Sequence, residues 1–182
     1  MATYTAYPYS RGYVHITGPD VTDPLDFDTG YFSDANEIDL KKLVWAYKKQ
    51  RELARRMKLV ESELAIGHPE FPVRSKAGLL ESPAQKHTID IEYSAEDDKA
   101  IENFLRNSVQ TTWHSLGTAK MAPREGMGVV DKDLNVYGTT ALKVVDLSIP
   151  PQNVAANTNN TALAIGEKGA HIIALELGIQ LK

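Results

Sequence analysis

The sequence predicts an α+β chain, and two observations carry that expectation. Apolar residues recur at helical spacing in three separate stretches, two of them opening on a capping-box pattern. Short strand-forming runs bounded by Gly, Pro and Asn lie ahead of the first of these stretches and ahead of the last.

The elements follow in chain order. The opening "YPYSRGYVHITGPD" alternates strand-formers with turn residues, and "GYVHIT" reads as a strand closed by Gly18-Pro19. A loop rich in Asp, Pro and Gly follows, "DVTDPLDFDTGYFSD". The clearest helix covers roughly residues 36–58, with Asp34 and Glu37 spaced as a capping box. Leu40, Leu43, Val44, Tyr47, Ala54 and Met57 share one face of it. Residues 67–93 carry Pro69, Pro72, Gly78 and Pro83 and read as irregular, with a short strand at 88–92. Ser94 and Asp97 form a second capping box for a helix near 95–108 that turns Ile101, Phe104 and Leu105 inward. "GVVDKDLNVYGTTALKVVDLSI" reads as two or three short strands joined by tight turns, and 141–148, "ALKVVDLS", is the best candidate for a buried strand. A last helix is expected from about Thr161 to Leu177, with Gly178 at the position that ends helices. Gly166 and Ala170 lie four apart on it, which would let another backbone approach closely.

Composition limits the function classes. The chain has 182 residues, enough to bury a real core, and 42% apolar with 24% charged residues is the balance of a soluble globular protein. A net charge of −4 provides no global basic field for nucleic acid or an anionic membrane. The run "KKQRELARR" (48–56) is broken by acids and apolar residues and reads as a solvated helix face. Without cysteine there are no disulfides, thiolate nucleophiles or cysteine metal sites. No apolar run reaches the length of a membrane span, no signal peptide opens the chain, and "GIQLK" is not a peroxisomal address. The expected setting is intracellular and cytoplasmic.

Two stretches could carry chemistry. In "TTWHSLGTAKM" (111–121), His114 follows a tryptophan and precedes Gly117 by three residues. It is either a core histidine satisfied by a neighbour or a histidine held for chemistry, and spacing leaves both open. "SIPPQNVAANTNNTAL" (148–163) holds four asparagines between an expected strand and a helix. Ligands collect after strand ends in open α/β sheets, and a helix N-terminus stabilises an anion. Asparagine is equally at home as a helix N-cap, so a plain cap cluster is the competing reading. His15 is expected on an exposed strand face, His68 and His87 lie in irregular segments, and His171 falls on the last helix. None shows metal-ligand spacing, so no metal site is expected. There is no Gly-x-Ser-x-Gly elbow, and "GMGVVD" (126–131) lacks the third glycine of a dinucleotide fingerprint.

"TTWHSLGTAKMAP", followed by "GVVDKDLNVYGTTALKVVDLSIPPQNVAANTNNTALAIGEKGA", resembles the C-terminal region of the glucose-methanol-choline (GMC) flavoprotein oxidoreductases, in particular the fungal alcohol oxidase and aryl-alcohol oxidase type. "YPYSRGYVHITGPD" resembles the Ser-Arg-Gly strand of that family's substrate domain, and "DFDTGYF" the loop after it. The similarity covers essentially the whole chain. It implies two portions: residues 1–108 from the substrate-domain sheet with packed helices, and residues 109–182 as the returning strand-helix segment of the flavin domain. It further implies that His114 and Asn157 are the catalytic pair and that the cofactor is flavin adenine dinucleotide (FAD). Trp113, Asp146, Leu147, Asn157 and Thr158 would lie against the flavin. The implied reaction is oxidation of a primary alcohol by hydride transfer to FAD.

Members of this family are about three times as long, and their G-x-G-x-x-G unit lies in the part not represented here. The expectation is therefore a half-site that binds FAD weakly or not at all when isolated. Three roles stay open: the C-terminal part of an alcohol oxidoreductase, a fragment without catalysis, or one subunit of a split enzyme completed by a separate FAD-binding chain.

Overall fold

The computed structural model describes residues 2–83 and 90–180. Its elements are β1 (Tyr13–His15), β2 (Asp26–Asp28), α1 (Ile38–Arg55), α2 (Ala95–Ser108) and α3 (Asn159–Glu176), with single 3₁₀ turns at Ala65–Gly67 and Arg124–Gly126. The backbone divides into two compact units. One holds Met1–Gly12 and Asp28–Gln110; the other holds Tyr13–Phe27 and Thr111–Lys182. The stretch Tyr13–Phe27, which the sequence reading places with the N-terminal portion, thus groups with the C-terminal residues. β1 and β2 pair with each other and are exposed throughout.

In the first unit α1 begins differently from the expected capping box. Glu37 itself occupies the cap position, in the left-handed region at φ 53°, and makes no side-chain cap. The Asp34 carboxylate reaches past it and accepts from the N–H groups of Ile38 at 2.6 Å and Asp39 at 3.3 Å. Glu37 pairs instead with Arg106 of α2. Asp39 is buried in the first turn, the end where the helix dipole favours an anion. It accepts from the backbone N–H groups of Tyr9 at 2.8 Å and Ser10 at 2.7 Å, tying the N-terminal segment to the helix.

The inward face of α1 is apolar at Leu40 and Tyr47 but charged at Arg51, which is only 2% exposed; Met57 lies past the helix end and is half exposed. Arg51 tolerates burial because its donors are used. It gives Glu63 two hydrogen bonds, at 3.0 and 2.7 Å, and reaches the Ala77 carbonyl at 3.0 Å. Arg55 adds two more to Glu63, at 3.1 and 2.7 Å. The Glu63 carboxylate also accepts from Leu80 N–H at 2.9 Å. Burial pushes the Glu63 carboxyl up, yet the two guanidinium groups and the Leu80 N–H outweigh it and hold it at about 2. This cluster pins the irregular 63–80 segment to the helix.

α2 opens on the expected capping box: Ser94 Oγ accepts from Asp97 N–H at 3.1 Å, and Asp97 accepts from Ser94 N–H at 2.8 Å. Its Ile101 is fully buried, and Phe104 stands 6.2 Å from the Tyr47 ring of α1. The strand expected at 88–92 falls partly outside the described residues, and 90–94 form none. His87 is also outside them.

In the second unit the strand expected at 141–148 does not form. It contributes an isolated bridge between Lys143 and Asn135, alongside bridges Val130–Val136 and Met121–Val130. The reason is local: Leu134 and Ala141 both adopt left-handed backbone, at φ 68° and 57°, which curls the facing segments before a row of pairs can build. Burial still follows the apolar pattern, because Val130, Leu134 and Ile149 form the core and Val144, Val145, Ile165 and Ile172 pack around it.

α3 packs through Ile165, Gly169 and Ile172. A Cβ on Gly169 would lie 2.1 Å from Val145 Cγ1, so this glycine sets the close approach. Gly166, the position expected to do so, has open space around it. The helix ends as expected: Gly178 at φ 68° donates to the Leu175 carbonyl at 3.2 Å and Ile179 to that of Ala174 at 2.8 Å. No helix among the described residues is long and apolar enough to cross a membrane.

Candidate active site

The loop bearing His114 is held against the segment that leads into α3. Gly117, Ala119 and Met121 donate their N–H groups to the carbonyls of Leu147 at 3.3 Å, Ser148 at 2.9 Å and Ile149 at 2.7 Å. Gly117, at φ 86°, can take this path because a side chain there would be strained and would press on the Pro150 carbonyl at 3.3 Å. This register brings His114 to the N-terminus of α3. Its Nε2 lies 3.1 Å from Asn157 Nδ2, and its Nδ1 lies 3.2 Å from Thr158 Oγ1.

The three residues differ in exposure. Thr158 is 4% exposed, His114 is half-buried, and Asn157 faces solvent. Trp113, in the left-handed region at φ 58°, donates its backbone N–H to Thr111 Oγ1 at 2.9 Å and is 81% exposed. Asp146 is exposed, and its carboxylate accepts from the Ser148 hydroxyl at 2.5 Å and the Ser148 N–H at 2.7 Å; these bonds hold its carboxyl below the ordinary range. Leu147 is half-buried and contributes the carbonyl that receives Gly117.

The sequence-predicted residues therefore fall into two groups. His114, Asn157 and Thr158 meet through their side chains. Asp146 and Leu147 shape the strap beside them, and Trp113 presents a free ring face. Asn159, which the sequence reading does not single out, joins them: its backbone N–H donates to Asn157 Oδ1 at 3.0 Å. The signal was present: an Asn two residues ahead of a helical N–H is the pattern of an Asx turn.

Of the other histidines, His15 is exposed and stacks on Tyr13 at 5.2 Å. His68 Nδ1 lies 2.7 Å from the Tyr47 hydroxyl, and His171 is exposed on α3. Among the described residues no three His, Asp or Glu side chains converge as a metal site would need.

Residues 8–166 match the sequence profile of the GMC oxidoreductases. The chain belongs to that family. Alcohol oxidase 1 of Komagataella phaffii is 42% identical to this GMC oxidoreductase chain over 98% of its length, an alignment covering 34% of the relative. That alignment extends over 224 residues, so the relative carries additional polypeptide inside the aligned region. Two solved structures are also similar. An FAD-dependent oxidoreductase from Chaetomium thermophilum has a TM-score of 0.69 at 25% identity and covers 96% of this chain and 26% of its own. Pyridoxine 4-oxidase from Mesorbium loti has a TM-score of 0.61 at 28% identity, with 91% and 28% covered. The helices and small sheet are thus those of the C-terminal part of a GMC flavoprotein fold. The chain spans about a third of the length of the curated relatives it matches.

Proposed function

We propose that this GMC oxidoreductase region carries the proton-handling side of an FAD-dependent oxidation of a primary alcohol. The observation behind the proposal is the 3.1 Å approach of Asn157 Nδ2 to His114 Nε2, between residues 43 apart in the sequence. A pair serving structure alone would be expected inside, whereas Asn157 is exposed and His114 only half-buried.

The chemistry follows from the donors. An alcohol hydroxyl that displaces the bond between the two side chains gives its proton to Nε2, while its oxygen accepts from Asn157 Nδ2. Imidazole suits this task because it exchanges protons near neutral pH. As the proton leaves, negative charge grows on the alcohol oxygen, which the Asn157 N–H released from Nε2 stabilises. FAD, when bound, accepts the hydride lost from the same carbon, leaving an aldehyde.

The residues present fit one edge of that cofactor. Trp113 offers a planar face, the Asp146–Leu147 strap lies alongside, and the first turn of α3 carries backbone N–H groups without intrahelical acceptors, an end that favours the negative charge of a reduced ring. No G-x-G-x-x-G turn occurs in the 182 residues, so we assign the grip on the FAD diphosphate to polypeptide beyond them, either in a longer form of this chain or in a separate FAD-binding chain.

The test is rapid mixing of the FAD-loaded protein containing this region with a primary alcohol, read as loss of flavin absorbance. His114→Ala is expected to slow the bleaching by ~10²–10⁴-fold, the range for loss of a general base. Bleaching within a few-fold of the parent rate overturns the base assignment.

A further inference from the structure

The hydrogen-bond directions around His114 are settled by one group that can only donate, the backbone N–H of Asn159. It donates to Asn157 Oδ1 at 3.0 Å. With its oxygen committed there, the Asn157 carboxamide turns its nitrogen to His114 Nε2, 3.1 Å away. An amide nitrogen offers only hydrogens, so Nε2 must accept and is unprotonated. A neutral imidazole carries one N–H, which then resides on Nδ1 and donates to Thr158 Oγ1 at 3.2 Å.

We infer that this relay, from Asn159 N–H through Asn157 and His114 to Thr158, locks His114 in the Nδ1–H tautomer, and that Thr158 is a positioning residue for the histidine. The opposite tautomer would set Nε2–H against the Asn157 N–H. Relieving that clash by flipping the carboxamide would turn its NH₂ onto the Asn159 N–H. Thr158 is 4% exposed, so little water can replace its hydroxyl at Nδ1. The first turn of α3 thereby decides which histidine nitrogen is unprotonated, and it is the one on the side of exposed Asn157.

The value of this device to catalysis rests on the proposed function, because a histidine already unprotonated at Nε2 needs no shift of its ring proton before accepting the alcohol proton. The tautomer itself does not rest on it, and the test uses neither flavin nor alcohol. Long-range ¹H–¹⁵N correlation spectra are recorded on the 182-residue chain labelled at its histidine ring nitrogens, at about pH 8.5 where free imidazoles are neutral. His114 is the set of signals lost in His114→Gln. The expected spectrum places the proton on Nδ1 and the bare nitrogen at Nε2. Thr158→Val is expected to lose the single tautomer and Thr158→Ser to retain it. Asn157→Asp, with one oxygen for Asn159 N–H and another for the ring, is expected to bring a proton onto Nε2. A parent chain with its proton on Nε2, or with an even mixture, overturns the relay, and this measurement needs no variant to fold. An unchanged tautomer in folded Thr158→Val overturns the role of Thr158. A locked Nδ1–H tautomer alongside normal bleaching in His114→Ala would refute the base role alone.

Discussion

Glu63→Gln removes the carboxylate that bonds both Arg51 and Arg55. The Arg51 side chain is 1% exposed and that of Glu63 6%, so water cannot replace the lost charge. Two routes lead to the same magnitude. A carboxyl brought from its ordinary 4.5 to about 2 by folding contributes ~3 kcal/mol of stability at neutral pH. Removing one partner of a buried ion pair costs about 3–5 kcal/mol, mainly because the other charge stays buried without compensation. Glutamine keeps one acceptor oxygen, so Glu63→Gln should lie at the low end, near ~3 kcal/mol, and Glu63→Ala above it. The pH dependence has a definite sign. Because the carboxyl is depressed in the fold, its contribution is complete above the unfolded value near 4.5 and disappears as pH falls towards 2. Urea unfolding followed by far-UV circular dichroism at pH 7 and at about pH 3 measures both effects. The gap between parent and Glu63→Gln should narrow clearly on acidification, and Arg51→Met with Glu63→Leu should be less costly than either single change. A gap below about 1 kcal/mol at pH 7, the range of an exposed pair, or one unchanged in acid would refute the buried-network account.

The remaining expectations concern helices. Gly169→Ala should destabilise by about 1–3 kcal/mol, since the new methyl would overlap Val145 Cγ1 at 2.1 Å. Gly166→Ala meets nothing within 4 Å and should stabilise by up to ~1 kcal/mol through helix propensity; thermal melts that rank the two alike would contradict the packing of α3. Ser94→Ala removes the hydroxyl that accepts from Asp97 N–H while the Ser94 N–H keeps its bond to the Asp97 carboxylate; it should cost ~1 kcal/mol in urea unfolding, and a value within error of zero would mean that the hydroxyl cap adds nothing.

Where helix ends depend on neighbours in the sequence, they were legible. Ser94 and Asp97 are three residues apart and make their box with each other, and Gly178 needs only its own backbone freedom to close α3. The same rule applied at Asp34 and Glu37 fails because Glu37 is drawn to Arg106, 69 residues away, and takes the cap position itself. The apolar run at 141–148 correctly marks burial but not a strand, since a ladder requires a partner segment whose backbone runs straight beside it. The 48–56 run reads as a solvated face although Arg51 within it is buried, because one-dimensional charge patterning cannot see Glu63 folding back across the helix.

The same boundary runs through the site. The ordered motifs around His114 and Asn157 determined the family and which residue types are available, since both belong to short stretches whose character is independent of the fold. That Asn157 meets Nε2 while Thr158 meets Nδ1, and that the Asn159 N–H orients the carboxamide, is decided only when the 117–121 and 147–149 segments bond and bring the histidine to the start of α3. Hydrogen-bond direction depends on ångström-scale placement of donors and acceptors distant in the chain, and residue order alone does not encode it.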